Sequence, residues 1–377
     1  MKWDRMRLPG PAPARGVIPM WIADMDFETP GPVLAALRAR LDKGCFGYTD
    51  LDEGLPPAAL RWYARRFGWA VPAGDIHFCP GLVPAIGFLL EALTGPGDGV
   101  LIQRPVYHPF ANMIRSHGRR LLDAPLVEEG GRYRMDMEAL RAAVAAGARL
   151  AILCSPHNPV GRVWTEEELR AYGRACLDAG LVVVSDEIHH DLVRRGVRHF
   201  PLETLFPGEK SRIVTLTAPS KTFNLAGLQL SNVVIHDPVH KARWKELVSE
   251  RYELSLPNAF AATAAIAAWE ECEGWLEGLV DYLDGNFAHL DAFLAERLPR
   301  ARLTPAEGTY LAWVDFRDYG FGPGELHAFV RDRASVLASD GALFGPSGEG
   351  FLRLNLACPR PRLAEALERI AAAFAGR

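Results

Sequence analysis

The middle of the chain alternates short apolar runs with helical patterns. The apolar runs are Val100-Leu-Ile-Gln103, Leu150-Ala-Ile-Leu-Cys154, Leu181-Val-Val-Val184 and Ile213-Val-Thr-Leu216. One intervening helix is marked at both ends, because Thr165-Glu-Glu-Glu168 forms a capping box and Gly180 stands where a C′ glycine belongs. Short, fully apolar strands between helices indicate a mostly parallel sheet covered on both faces. The pattern therefore predicts an α/β fold.

The last third of the chain has a different pattern. A long helix is indicated from Trp275 to Leu298, followed by alternating strands at Tyr310–Phe316 and Gly350–Leu356 and a closing helix from Leu363 to Phe374. We expect a large domain over residues 45–272 and a smaller α+β domain over 273–377. Residues 1–44 are expected to form an arm and a helix that join the small domain at the mouth of the site.

Composition narrows the class of protein. The 377 residues contain 42 Lys plus Arg and 46 Asp plus Glu, for a net charge of −4, so no basic surface for nucleic acid or anionic membrane is expected. No apolar run approaches the roughly 18 residues that span a bilayer, and the N-terminus has no signal-peptide pattern. The six cysteines are scattered without a C-x-x-C pair. We expect a cytoplasmic protein without a structural metal or disulfides.

Polar side chains follow four of the predicted strands. Tyr107 comes after the first strand, Asn158 after the second, Asp186 after the third and Lys221 after the fourth. In an open α/β sheet, ligands bind beyond the carboxyl ends of the strands. An aromatic ring, an amide, a carboxylate and an amine at one edge are hard to explain by packing, and they predict a binding or catalytic site.

The chain contains only six lysines, and Lys221 differs from the others. The remaining five fall at the terminus, in a loop or on helices, where surface charges are expected. Lys221 alone follows a buried strand and lies among small and hydroxyl residues. Its position fits either a partner for a buried acid or an amine that forms a Schiff base.

Several long blocks resemble a known family. Asn158, Asp186 and Ser220-Lys221, in this order, resemble the active-site set of fold-type I pyridoxal-phosphate (PLP) enzymes. More narrowly, the chain resembles the cystathionine β-lyase (carbon–sulfur lyase) branch of the class I/II aminotransferase superfamily. The blocks are Trp21-Ile-Ala-Asp-Met-Asp-Phe27, Gly47-Tyr-Thr49, Ser155-Pro-His-Asn-Pro-Val-Gly-Arg-Val-Trp164, Ser185-Asp-Glu-Ile-His-His-Asp191, Ala218-Pro-Ser-Lys-Thr-Phe-Asn-Leu-Ala-Gly-Leu-Gln229 and Arg353-Leu-Asn-Leu-Ala-Cys-Pro-Arg360.

The resemblance implies a role for each residue around the cofactor ring. Lys221 is expected to hold the PLP aldehyde as an imine and then remove the substrate α-proton. Asp186 would keep the pyridine nitrogen protonated, Asn158 would bond the ring oxygen, and Tyr107 would stack on the ring. His189 is expected to form a hydrogen bond near the cofactor.

The resemblance also implies a phosphate site and a dimer. Backbone N–H groups of Gly81, Leu82 and Val83 would hold the phosphate at the start of a helix. Ser220 would be a second donor, and Thr217 would compensate for a hydroxyl that is missing at position 218. Tyr48 would reach the phosphate of a neighbouring subunit, which implies a homodimer with shared active sites.

Substrate contacts follow from the same resemblance. Arg353 would clamp the substrate carboxylate bidentately, and Trp21 and Asp24 would lie at the substrate mouth. A metal is not expected at His189 and His190, because adjacent histidines in a helix point about 100° apart.

The reaction implied is β-elimination from cystathionine or cysteine S-conjugates, giving pyruvate, ammonia and a thiol. The alternative is a class I/II aminotransferase. Many aminotransferases carry an arginine eight positions after the lysine, where this chain has Gln229. A remoter alternative is a non-catalytic or moonlighting regulator on the same fold, although the residues before Trp21 are too few for a helix-turn-helix.

Overall fold

The computed structural model describes residues 2–3, 16–50 and 54–376. The strands in this part of the chain are β1 (Ile18–Pro19), β2 (Ile76–Cys79), β3 (Gly99–Ile102), β4 (Arg120–Asp123), β5 (Val127–Glu129), β6 (Arg132–Arg134), β7 (Ala148–Cys154), β8 (Val182–Asp186), β9 (Ile213–Thr217), β10 (Ser231–Ile235), β11 (Arg302–Leu303), β12 (Leu311–Asp315), β13 (Val336–Leu337), β14 (Ser339–Asp340) and β15 (Phe351–Asn355). The helices are α1 (Gly31–Asp42), α2 (Leu55–Phe67), α3 (Leu82–Leu93), α4 (Pro109–Ser116), α5 (Met137–Ala145), α6 (Glu166–Leu177), α7 (Pro219–Thr222), α8 (Pro238–Trp244), α9 (Ala259–Glu271), α10 (Glu273–Arg297), α11 (Glu325–Phe329) and α12 (Arg360–Phe374).

A seven-stranded sheet forms the centre of the fold, in the order β2-β10-β9-β8-β7-β3-β4. Only β10 runs against its neighbours, and the other pairs are parallel. One face packs on α5 and α6 and the other on α3 and α4, which explains why the central strands are apolar on both faces. The predicted α/β class with a mostly parallel sheet is confirmed.

The four strands predicted from apolar runs are neighbours in this sheet. They correspond to β3, β7, β8 and β9, which lie side by side in the order of the chain. Because all four are parallel, their carboxyl ends meet at one edge. The capping box of α6 is present at Thr165, and Gly180 has a φ of 78°, as the sequence predicted.

A second, four-stranded antiparallel sheet lies in the last third, in the order β11-β12-β15-β14. It has its own apolar core with α10 and α12, built from residues such as Leu290, Leu352 and Ile370. This arrangement agrees with the expected small α+β part, although the division at residue 273 remains a prediction.

The N-terminal arm joins both parts. Strand β1 pairs in parallel with β13, through Ile18 opposite Val336, which brings the arm against the small part. Helix α1 packs on α9 in the same core as α2, and its assignment to one domain remains a prediction. The buried residues of α9 are almost all alanines and leave room for a helix against it.

Four of the five lysines expected at the surface form ion pairs, including Lys210 with Glu203 at 3.8 Å and Lys245 with Glu250 at 3.3 Å. Lys2 is buried, and its Nζ lies 2.9 Å from a carboxylate oxygen of Asp26. Lys241 pairs with Asp75. Within the residues described, no helix combines the length and apolar character that a membrane span requires.

Candidate active site

A cavity of about 300 Å³ lies at the carboxyl edge of the central sheet, where β7, β8 and β9 end opposite the start of α3. Nine residues predicted from the sequence line it together. They are Gly81, Leu82, Val83, Tyr107, Asn158, Asp186, His189, Ser220 and Lys221. The predicted site is therefore one place in the structure.

Lys221 sits on α7, directly after β9, and its amine points into the cavity. Its Nζ donates a hydrogen bond to the backbone carbonyl of Ala23 at 2.8 Å. Burial lowers the pKa of Lys221, and the nearby Asp24 partly opposes this effect. A lower pKa leaves more of the amine neutral, which is the form that reacts with an aldehyde or accepts a proton.

Asp186 ends β8 and is buried. Burial raises its pKa to about 7, although the N–H of Ile188, which donates to Oδ1 at 3.1 Å, works in the opposite direction. Among the described residues, no Lys or Arg side chain bonds this carboxylate. Because a buried carboxylate needs a compensating donor, Asp186 fits a ligand that brings a protonated nitrogen.

The opposite end of the cavity fits an anion. Gly81 precedes α3, and no side chain caps the first turn of that helix, so backbone N–H groups of Leu82 and Val83 are available to a ligand. Ser220 adds a hydroxyl from the first turn of α7. Among the described lining residues, Lys221 is the only cation, and Gln229 lines the wall where an arginine is common in aminotransferases.

Arg353, on β15, lies beside Asn158. Its guanidinium donates to Asn158 Oδ1 at 3.1 Å, to the carbonyl of Trp21 at 2.7 Å and to Ser339 Oγ at 3.1 Å. Nε is buried without a partner among the described residues, and burial lowers the pKa of Arg353 to about 10. An unsatisfied donor on a buried cation is a place where a carboxylate can bind.

The segment from Trp21 to Phe27 was expected at the substrate mouth through the side chains of Trp21 and Asp24. In the structure its backbone carbonyls make the main contacts, because they accept hydrogen bonds from side chains on β15, on α7, in the turn that follows α7 and in the bend that precedes β12. These donors are Arg353 to Trp21, Asn355 to Ile22 and Asp24, Lys221 and Tyr310 to Ala23, and Asn224 to Met25 and Phe27.

Three of these donors were missed by sequence reasoning, namely Tyr310, Asn224 and Asn355. Asn224 and Asn355 lie within blocks that carry the family resemblance, three and two residues after Lys221 and Arg353. That proximity was the available signal. Tyr310 had none beyond its place at the start of a predicted strand.

Five predicted residues do not line the cavity: Arg353, Trp21 and Asp24, whose surroundings are described above, and Thr217 and Tyr48. Thr217 Oγ1 lies 2.6 Å from the hydroxyl of the buried Tyr63, and Thr217 is not among the lining residues. Tyr48 is 99% exposed and lines a separate surface groove beside α1 and α9. A contact of Tyr48 with the phosphate of a neighbouring subunit stays a prediction.

His189 lines the cavity, but the helix expected around it is absent. Residues 188–191 form turns, and His190 faces Asp191, with 3.1 Å between Nε2 and Oδ2. Burial lowers the pKa of His189 to about 3, so the ring is neutral, and Nδ1 has no partner among the described residues. His189 can therefore accept or donate a hydrogen bond to a ligand.

The residues present fit PLP. Lys221 meets the requirement for an amine, the carboxylate of Asp186 suits a pyridinium nitrogen, and the start of α3 suits a phosphate. Asn158 and Tyr107 lie between these two ends on the cavity wall. A lysine after one parallel strand and an aspartate at the end of the neighbouring strand define the class of fold-type I PLP-dependent enzymes.

Within that class, the chain belongs to the aminotransferase class I and II family, whose model matches residues 17–370. It is 42% identical to cystathionine beta-lyase PatB of Bacillus subtilis (strain 168) over 376 residues, covering 99% of this chain and 96% of that protein.

Solved structures give the same family branch. The crystal structure of cystalysin from Treponema denticola, which contains pyridoxal 5'-phosphate, superposes with a TM-score of 0.92 at 34% identity, covering 95% of this chain and 91% of that one. The PLP-bound C-S lyase of Staphylococcus hominis has a TM-score of 0.90 at 34% identity, with 95% and 91% covered. The predicted resemblance to the cystathionine β-lyase branch is confirmed.

Proposed function

We propose that this chain is a PLP-dependent carbon–sulfur β-lyase. It acts on cystathionine or cysteine S-conjugates and releases pyruvate, ammonia and a thiol. The observation that carries the proposal is the cavity that brings Lys221 and the buried Asp186 together, with Arg353 bonded to Asn158 at its wall. Cystathionine beta-lyases match nearly the whole chain at 42% and 30% identity, whereas aspartate aminotransferases match it at only 24% and 26%, which favours elimination over transamination.

Each residue has a defined task in this reaction. When bound, PLP supplies an aldehyde that links to amines and a ring that accepts the electrons released at the substrate Cα. Lys221 would carry the covalent link at Nζ and, once released, accept the α-proton there. Asp186 would hold a proton on the ring nitrogen through its buried carboxylate, which favours a charged partner over water.

The remaining residues bind and orient. Gly81, Leu82 and Val83 would hold the phosphate with backbone N–H groups, since the helix dipole of α3 favours an anion there. Arg353 would bind the substrate carboxylate through its unpaired Nε, and a second contact from the neighbouring Nη2 would replace the hydrogen bond that Nη2 now donates to Ser339. Because Arg353 already bonds Asn158 and Trp21, its guanidinium plane is fixed before the substrate arrives.

The site residues are tested by one variant and a matched control. Lys221→Ala is expected to abolish both the covalent PLP absorbance and pyruvate release. Lys245→Ala removes a lysine whose side chain is 72% exposed and should leave both unchanged. A Lys221→Ala protein that keeps the absorbance and turns over cystathionine contradicts the assignment.

The reaction class is tested by product analysis. The purified, PLP-loaded protein is supplied with cystathionine, and pyruvate, ammonia and free thiol are measured together. The proposal requires all three in equal amounts without an added keto acid. Turnover that depends strictly on a keto acid, with no pyruvate, would assign the chain as an aminotransferase.

We also propose a homodimer located in the cytoplasm. Support for the dimer comes from exposed apolar side chains around the segment that carries Tyr48, including Leu41, Phe46 and Leu256, since such patches mark association surfaces. The cysteines are free, which suits a reducing compartment. Light scattering of the purified protein tests the dimer, and a monomer with full activity contradicts shared sites.

A further inference from the structure

One backbone oxygen in the active site accepts two hydrogen bonds. The carbonyl of Ala23 receives Nζ of Lys221 at 2.8 Å and the hydroxyl of Tyr310 at 2.8 Å. The three residues come from different parts of the chain: the arm, the large part and the small part. Tyr310 therefore lies close to the amine of Lys221, and the reaction described above gives it no role.

Tyr310 is held rigidly. It is 1% exposed and immediately precedes β12, which pairs with the strand β15 that carries Arg353. Its ring meets His189 edge to face, with 5.9 Å between centroids. Burial raises the pKa of Tyr310 far above neutrality, so its hydroxyl stays protonated and remains a donor.

We propose that Tyr310 is a positioning residue for Lys221, acting through the Ala23 carbonyl that both side chains share. A carbonyl oxygen has two lone pairs, and Tyr310 occupies one of them permanently. The oxygen therefore keeps its place when Lys221 leaves it to react. When the amine is released, it returns to an acceptor that has not moved.

The second donor also weakens the hydrogen bond between the Ala23 carbonyl and the amine of Lys221. A donor that polarises the same oxygen competes with the ammonium form of Lys221 for its electron density. The arrangement thus fixes where the amine rests and favours its neutral form. Both effects serve proton abstraction, because a base must be placed within hydrogen-bond reach and must be unprotonated.

The proposal predicts a change in the titration of Lys221 in the cofactor-free full-length protein. Tyr310→Phe removes the competing donor, so the carbonyl holds the ammonium form more strongly and the pKa of Lys221 rises. Cyanate, which modifies neutral amines, should then react with Lys221 about threefold more slowly near neutral pH. Mass spectrometry measures the rate, and the five other lysines are internal references.

Two further proteins control for packing. Tyr172→Phe removes the hydroxyl of another fully buried tyrosine, on α6 outside the cavity, and should leave Lys221 unchanged. Site-specific 3-fluorotyrosine at position 310 keeps the hydroxyl but makes it a stronger donor, so Lys221 should react faster. The charged groups that face Lys221, namely Asp24, Arg353 and Asp186, are intact in every protein.

Kinetics of the PLP-loaded protein provide the second measurement. Tyr310→Phe should lower kcat about fivefold, as expected for one hydrogen bond, with KM unchanged because Arg353 still binds the carboxylate. Equal rates of cyanate modification of Lys221 in the wild-type protein, in Tyr310→Phe and in the protein with 3-fluorotyrosine at position 310 would overturn the proposal. The proposal rests on the proposed function, in which Lys221 is the reactive lysine. The cyanate rates are measured without cofactor, whereas the Lys221→Ala test measures activity of the PLP-loaded protein. The failure of one proposal can therefore be told from the failure of the other.

Discussion

Two buried aspartates five residues apart are expected to respond oppositely to the same substitution. Asp186 has a pKa of about 7 in the folded protein, against an ordinary value of 3.8, because burial penalises its charge. As the pH rises from 4 to 7, the unfolded chain loses this proton while the folded chain keeps it, and stability falls. Each pH unit in that interval contributes about 1.4 kcal/mol, so the full cost above pH 7 is about 4 kcal/mol.

Asp186→Asn removes this cost, because the amide is neutral at every pH and its Oδ1 can still accept from Ile188. The cofactor-free variant should therefore melt several degrees higher than the wild-type protein at pH 8, and the difference should disappear near pH 4. The PLP-loaded Asp186→Asn variant should lose its lyase activity. Differential scanning calorimetry at both pH values measures the effect.

Asp191→Asn is the matched control. Burial alone would raise the pKa of Asp191, but His190, Arg66 and Thr222 lower it below its ordinary value. Its stabilising contribution is therefore present above that value and lost on acidification. At pH 8, Asp191→Asn should destabilise the protein by about 3 kcal/mol, because Arg66 loses a counter-charge and the buried Trp62 and Thr222 lose a charged acceptor. Equal melting temperatures for wild-type and Asp186→Asn proteins at pH 8 would refute the reasoning.

Two other substitutions give separate tests. Arg353→Lys keeps the charge but loses bidentate binding, so kcat/KM for cystathionine should fall about a hundredfold, mainly through KM. The exposed Arg141→Lys on α5 is the control. An unchanged KM for Arg353→Lys contradicts the binding of the substrate carboxylate by Arg353. Gly173→Ala places a methyl group into the buried ring of Phe206 and should destabilise by about 1–3 kcal/mol in urea unfolding. Gly278→Ala, in open space on α10, should stabilise the protein slightly. Equal urea-unfolding midpoints for Gly173→Ala and Gly278→Ala would contradict the close contact between Gly173 and Phe206.

The position of the site was predictable because chain order and sheet order coincide. β3, β7, β8 and β9 are adjacent and parallel, so residues directly after each strand had to meet at one edge. Asn158, Asp186 and Lys221 were found on that ground. Arg353, nearly two hundred residues from Asn158, came from the family resemblance alone.

Other features depended on contacts that a local pattern does not encode. The helix expected after Asp186 is replaced by turns, since the buried Glu187 accepts hydrogen bonds from Ser185 and from the backbone of Leu202, and pairs with His199. The role of the Ala23 carbonyl was equally hidden, because every residue has such an oxygen. Only the path of the arm across the sheet selects this one.

The path of the arm also bears on the synthesis of the protein. The carbonyls of Trp21, Ile22 and Asp24 are held by Arg353 and Asn355, partners more than 300 positions later in the chain. Contacts of such sequence separation form late in folding, and on the ribosome they cannot form until β15 has emerged. A nascent or prematurely ended chain can thus build the central sheet and expose Lys221 without fixing the carbonyl that receives its amine. Catalytic competence thus depends on the finished chain, because the arm from Trp21 to Asp24 is fixed in place only after β15 has formed.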